Sequence, residues 1–281
     1  MKPCRDGGTE AGRAGRQRCN QRCWSSYAAS GLVSLLLFLV GPGVGDVAVE
    51  GCPDPPPVAG SPYSRTVSTV EDIDALVLDL SNCTGGVFEV TWSGELVVTE
   101  PLVVPPEANL TITGVPEPGG AEAAMDGGGV TGLIDLSTGS SLTLDAMELR
   151  NALREWGNGG GVNAEARNSV VVAKNTKFVS NAVTGPELGN TGYGGAMSLR
   201  LGSVATLEGC VISGNSATAG GGGVYMADEG TSLTLINTAI LGNSADFGGG
   251  VCGFNSTEVL AREGTEFANN TSKDWGGGLY M

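Results

Sequence analysis

From about residue 140 onward, apolar and polar positions alternate in short runs, and no helical period is present. Four runs are rich in β-branched residues: Val170-Val171-Val172, Ser203-Val204-Ala205-Thr206-Leu207, Ser232-Leu233-Thr234-Leu235 and Glu258-Val259-Leu260. Val and Thr suit a pleated surface, so each run reads as a strand. Shortly after each run stands Asn175, Gly209, Asn237 or Gly264. Asn and Gly accept positive φ, which predicts a left-handed bend into a second short strand. The next residues are Thr176, Cys210, Thr238 and Thr265, and two places later come Phe178, Ile212, Ile240 and Phe267. Side chains alternate along a strand, so these two columns share the inner face. Between them lie Lys177, Val211, Ala239 and Glu266, which point outward.

The pattern recurs with a fixed period. Three residues after each apolar position stand Asn181, Asn215, Asn243 and Asn270, spaced 34, 28 and 27 apart. A Gly pair followed by an aliphatic recurs at Gly194-Gly195-Ala196, Gly222-Gly223-Val224, Gly249-Gly250-Val251 and Gly277-Gly278-Leu279. Units of this size cannot bury a core alone and must stack. The expectation is an all-β, right-handed parallel β-helix with rungs about 4.8 Å apart. The four Asn would form a ladder of amides, each bonded to those above and below. A β-propeller needs blades of about 40–45 residues, longer than this period. A leucine-rich repeat needs a regular Leu/Asn consensus that is absent.

An apolar residue three places before Asn, paired with Gly-Gly-aliphatic, resembles the repeat of polymorphic outer-membrane proteins. Those are β-helical surface proteins and adhesins of bacteria, and similar repeats occur in eukaryotic secreted right-handed β-helix proteins. The match covers about residues 140–281. It implies a β-helix exposed outside the cell. The C-terminal membrane barrel of the bacterial proteins is not in this chain, so outer-membrane anchoring is not implied.

The N-terminal part is organised differently. Residues 1–27 carry Lys2 and five Arg, and an apolar stretch from about Ala28 to Gly45 follows. Residues 1–45 therefore read as a signal peptide, cleaved before Asp46, or as a retained signal anchor. Residues 46–66 form a Pro-rich linker. Residues 67–86 are expected to cap the open end of the β-helix with a helix over 68–80, opened by Ser68-Thr69-Val70-Glu71 as a capping box. Val70, Ile73, Val77 and Leu80 would share its buried face. The β-helix proper would run over 87–281, with narrower early rungs, a Gly/Pro-rich excursion over 114–129, and Asn151 opening the ladder. The chain stops inside a repeat at Met281, which reads as a truncation.

Charge and composition narrow the function. The net charge is −15 and the chain has no His. That argues against nucleic acid as a partner, against metal sites and against His-based catalysis; no cofactor is expected. Cys52 and Cys83 flank the cap and could form a disulfide in an oxidising compartment. Cys210 is expected to be a buried free thiol, too far from Cys252, which aligns with Met197, Tyr225 and Tyr280, to bridge. Sequons occur at Asn82, Asn109, Asn255, Asn269 and Asn270. Asn82, Asn109 and Asn255 are the expected acceptors, whereas Asn270 belongs to the ladder.

Two functional readings follow. The first is a non-enzymatic extracellular or cell-surface β-helix for adhesion or glycan binding, either secreted or held as a single-pass type II membrane protein by residues 28–45. Its partners would be extracellular glycans or surface proteins. A candidate patch is Phe247 with Trp275, 28 residues apart and each before a Gly triplet, with Asp246 and Asp274 beside them. The second reading is a polysaccharide-active β-helix enzyme. Hydrolysis would want two carboxylates about 5–10 Å apart, which stacked Asp246 and Asp274 would supply, and the decisive rungs could lie beyond this chain.

Overall fold

The computed structural model describes residues 62–83, 85–185 and 191–281. Residues 1–61, and with them the signal or anchor and Cys52, lie outside the described residues. Every strand pairing among the described residues is parallel. The protein is a parallel β-solenoid with four faces. Face one is an eight-stranded sheet running from Tyr63–Val67 to Glu258–Arg262. Face two has seven strands, from Glu95–Val97 to Glu266–Ala268. Face three has five short strands, from Leu153–Arg154 to Thr271–Trp275. Face four has seven, from Leu102–Val104 to Leu279–Tyr280. One complete rung runs Val204–Glu208, Val211–Ser213, Ser216–Ala217 and Val224–Ala227 around the four faces.

The bends between faces one and two fall at Asn175, Gly209, Asn237 and Gly264, all with positive φ between 47° and 69°. Inside, like residues stack on like from rung to rung. Leu149, Phe178, Ile212 and Ile240 form one fully buried column on face two. Leu142, Val171, Ala205 and Leu233 form another on face one. The alternation of the strands thus becomes a continuous apolar core, with each rung's inward side chains covered by its neighbours'.

The Gly-rich motif marks the corner between faces three and four, where backbones of successive rungs approach closely. A Cβ on Gly222 would lie 2.4 Å from the Ser244 carbonyl oxygen and 2.5 Å from that of Gly249. The register of this motif differs from expectation by one residue. Met197 pairs with Val224 and Ser198 with Tyr225, so Met197 fills the aliphatic column and Ala196 the second Gly column. Cys252 therefore aligns with Ser198, Tyr225 and Tyr280, not with Met197. Consecutive glycines make the motif slide along the sequence without penalty; the hydrogen bond from the Ala196 N–H to the Gly223 oxygen settles its place.

The capping helix spans Val70–Ser81. Its capping box uses Thr69 and Asp72, one residue later than expected: the Thr69 hydroxyl accepts from the Asp72 N–H, and the Asp72 carboxylate accepts from the Thr69 N–H. Both Ser68 and Thr69 can cap, and the burial demand of the helix decides between them. Its buried residues are Ile73, Leu76 and Leu80, whereas Val70 is exposed. The helix packs on the Tyr63–Val67 and Leu102–Val104 strands, where Tyr63 and Arg65 both donate to Asp79. Residues 63–66, assigned to the linker on composition, belong to the first strand of face one.

The Asn ladder occupies the turn from face two to face three. Asn181 Nδ2 donates to Asn215 Oδ1 at 3.1 Å, Asn215 Nδ2 to Asn243 Oδ1 at 2.9 Å, and Asn243 Nδ2 to Asn270 Oδ1 at 2.9 Å. Asn151 does not open it. Leu149 pairs with Phe178, which aligns Ala152 with Asn181, and the Ala152 N–H donates to Asn181 Oδ1. Asn151 stands one residue earlier with positive φ and donates its amide to Asp126.

Candidate functional site

Outside the main core, face four and its corner with face three carry a second apolar cluster of Tyr225, Ala227 and Cys252, with Tyr193, Phe247, Phe254 and Tyr280 packed against it. Two outward columns and the Ala227–Phe254 pair build it. The corner column is Asn158, Tyr193, Gly220, Phe247 and Trp275. The face-four column is Asn163, Ser198, Tyr225, Cys252 and Tyr280. In the three middle rungs a large residue in one column faces a small one in the other: Tyr193 with Ser198, Gly220 with Tyr225, and Phe247 with Cys252. A Cβ on Gly220 would lie 3.1 Å from Cys252 Sγ and 3.4 Å from the Tyr193 ring, so this glycine is where neighbouring side chains fold inward.

The rings form one connected stripe. Tyr193 and Tyr225 are 4.3 Å apart between centroids, Phe254 and Tyr280 5.5 Å, and Phe247 and Trp275 5.5 Å at an interplanar angle of 29°. Tyr280 also lies 6.4 Å from Trp275 in a stacked arrangement. Offset stacks of this kind are favourable beyond simple burial. Phe247, with Trp275 stacked on it, is still only half-buried, so the stripe presents a flat aromatic surface to solvent. Burial raises the Tyr225 hydroxyl above its ordinary pKa and pushes the Cys252 thiol up to about 12. Both are neutral at physiological pH, and a neutral thiol is a poor nucleophile.

Toward the N-terminal side the same face turns polar. Glu165 Oε1 accepts from Asn158 Nδ2 at 3.0 Å and from the buried Ser198 hydroxyl at 2.7 Å. One rung on, Arg200 Nε donates to Asp228 at 3.0 Å. Burial lowers the Arg200 pKa, but the hydrogen bond to Asp228 together with the charges of Asp228, Glu165 and Tyr225 outweighs it, and the group ends above its ordinary value. The site therefore runs from a hydrogen-bonded polar end to an aromatic end over consecutive rungs.

Phe247 and Trp275 meet as the 28-residue spacing implied. The register shifts immediately before them. Ala245 pairs with Ser272 but Phe247 with Trp275, so the later strand carries one extra residue as a bulge. Lys273, within the bulge, forms an ion pair with Asp246 at 3.7 Å, while Asp274 is exposed. The spacing Asp-aromatic-Gly is the same in both rungs, so the extra residue lies upstream of it. Among the described residues no three Asp, Glu, Cys or His side chains are placed to hold a metal ion.

Other expected sites fall elsewhere. Cys210 is buried and free, with burial pushing its thiol up to about 11. Cys83 is buried and disulfide-bonded; its expected partner Cys52 lies outside the described residues. Asn82 closes the capping helix and Asn255 sits in a turn, both exposed. Asn109 faces outward on face one and accepts from Ser141 Oγ. Asn270 is held in the ladder. No family model, curated protein or solved structure matches the chain.

Proposed function

We propose that this chain is an exported, non-enzymatic β-solenoid that works outside the cell, secreted or at the surface, and binds glycans through the aromatic stripe of the face-three and face-four corner. The observation that carries this reading is the half-buried Phe247 stacked on Trp275, continuous through Tyr280 with Phe254. Contiguous exposed apolar surface on a soluble chain marks an interaction site. Flat rings beside Asp246 and Asp274 suit a sugar, whose C–H face packs on an aromatic ring while its hydroxyls find carboxylate acceptors. The low positive charge of the chain favours neutral or amino sugars over acidic ones. The ion pair of Asp246 with Lys273 supports a binding role over a hydrolytic one, because a catalytic pair needs both carboxylates free to act on the sugar.

The test is a glycan array followed by titration calorimetry on hits, with wild type, Trp275→Ala and Phe247→Ala. The expected outcome is selective binding that each substitution weakens at least tenfold. Absence of binding to any glycan, or binding that neither substitution affects, would overturn the reading.

A further inference from the structure

The polar end of the face-four site has bonding groups that the fold does not use. Glu165 accepts from Asn158 and from Ser198 through the same oxygen, Oε1; its Oε2 has no partner among the described residues. Arg200 engages Asp228 through Nε alone, and among the described residues its two Nη groups bond nothing else. The Tyr225 hydroxyl also donates to no group among the described residues, while its ring packs 4.3 Å from that of Tyr193 between centroids. Arg200 lies within electrostatic reach of Glu165 and Tyr225, and Tyr225 within reach of Glu165, so the three form one cluster. An uncommitted acceptor and two uncommitted donors thus stand beside a stacked pair of rings.

A hydroxyl both donates and accepts, so a group that recognises one offers a donor and an acceptor side by side, as Glu165 does with Arg200 and Tyr225. Both cations of the site are already paired, Arg200 with Asp228 and Lys273 with Asp246. A uronate or a sulfated sugar would find no free positive charge and would face Glu165, which disfavours it. The polar and aromatic ends lie along the solenoid axis. Glu165 follows the Val162–Ala164 strand, Arg200 stands on the next rung, Tyr225 on the third, Phe247 and Phe254 on the fourth, and Trp275 on the fifth. With strands about 4.8 Å apart, Glu165 and Trp275 are separated by about 19 Å along the axis, further than a disaccharide reaches. A sugar that touches both ends is therefore a chain. Pyranoses joined by equatorial β-1,4 bonds extend as flat ribbons, whereas α-1,4-linked chains coil away from a line of stacked rungs. We propose that the aromatic stripe and the Glu165, Arg200 and Tyr225 cluster form one elongated site for an uncharged β-1,4-linked glycan chain lying along the solenoid axis. This inference rests on the glycan-binding reading above and adds the length, linkage and charge of the ligand.

The experiment is titration calorimetry of the full chain with β-1,4-linked oligomers of glucose and of N-acetylglucosamine, from two to six units, and with the α-1,4-linked glucose hexamer. In at least one β-linked series, affinity should rise tenfold or more from dimer to hexamer, and the α-linked hexamer should bind no better than the dimer. Tyr225→Phe, which removes one oxygen and keeps the ring, should weaken the hexamer at least fivefold and leave the dimer unchanged. Arg200→Gln should do the same, with circular dichroism checking its fold; Tyr225→Phe decides where it does not fold. Equal binding of dimer and hexamer, or variants that affect both oligomers alike or neither, would overturn the elongated site. The function proposed above then stands if Trp275→Ala still weakens binding. Absence of binding to every β-linked oligomer would also overturn the inference, while glycans of other linkage that bind on the array and are lost in Trp275→Ala would preserve the broader reading, so each can fail alone.

Discussion

At the scale of single residues, the ladder asparagines carry more than a turn. Asn215 Oδ1 accepts from both the backbone N–H and the side-chain Nδ2 of Asn181, and its own Nδ2 donates to the Phe178 carbonyl and to Asn243. All of these groups are buried. Asn215→Ala strands donors on Asn181 and an acceptor on Phe178. At roughly 1–3 kcal/mol for each stranded group, the expected loss is about 3–5 kcal/mol. Urea unfolding should show it as a lower midpoint with an unchanged slope. A loss below about 1 kcal/mol, the net worth of one ordinary hydrogen bond, would mean that water replaces the amide and that the ladder is a consequence of the fold and not a support. Thr176, Cys210 and Thr238 illustrate a smaller version of the same logic: each is buried, and each returns its hydroxyl or thiol to a backbone carbonyl.

At the scale of elements, the capping helix and the corner glycines define the solenoid's geometry. The helix is anchored by the Thr69 and Asp72 box at its start and by Tyr63 and Arg65 on Asp79 near its end. Thr69→Ala removes one cap bond and should cost about 1 kcal/mol. That corresponds to roughly fivefold faster hydrogen exchange, expected at the Ile73 and Leu76 amides. The effect should stay local, because helix and sheet open as separate units; equal acceleration in the strands of face two would show that the helix and solenoid unfold together.

At the scale of the molecule, ion networks on the outer side of face two bind successive rungs. Arg150 reaches Glu95, Asp126 and Glu148, which sit on three consecutive strands of that face. Bonding to Glu95 is the chief cause that raises the Arg150 pKa. Burial pushes Asp126 upward, but bonds from the Gly128 N–H, Arg150 and Asn151 prevail and hold it below the usual carboxylate range. A carboxylate with a depressed folded pKa stabilises the fold fully above its unfolded value, near about 3.9, and loses that contribution as pH falls through the lower folded value. Thermal melts between neutral and strongly acid pH should therefore show a steep fall at the acid end. In Asp126→Asn this part of the slope should vanish, with stability at neutral pH lower by about 1–3 kcal/mol. An unchanged acid slope would place the titrating group elsewhere.

The sequence by itself determined the solenoid, its period, the inward and outward columns, the ladder and the meeting of Phe247 with Trp275. Each of these follows from strand alternation and a repeat of fixed length, both of which are local or periodic and survive without coordinates. Tertiary structure alone decided the register of the glycine corner, because consecutive glycines are interchangeable until a neighbouring rung's hydrogen bonds choose among them. It alone replaced Asn151 by Ala152 in the ladder, since only pairing with Phe178 shows which residue lies beneath Asn181. It set Lys273 against Asp246 through one inserted residue. It also joined Tyr193, Tyr225, Phe254 and Tyr280, which occupy different positions in their repeats, into one surface. The reason is common to all four: a rung's own sequence fixes which side chains point out, but only stacking fixes which of them become neighbours.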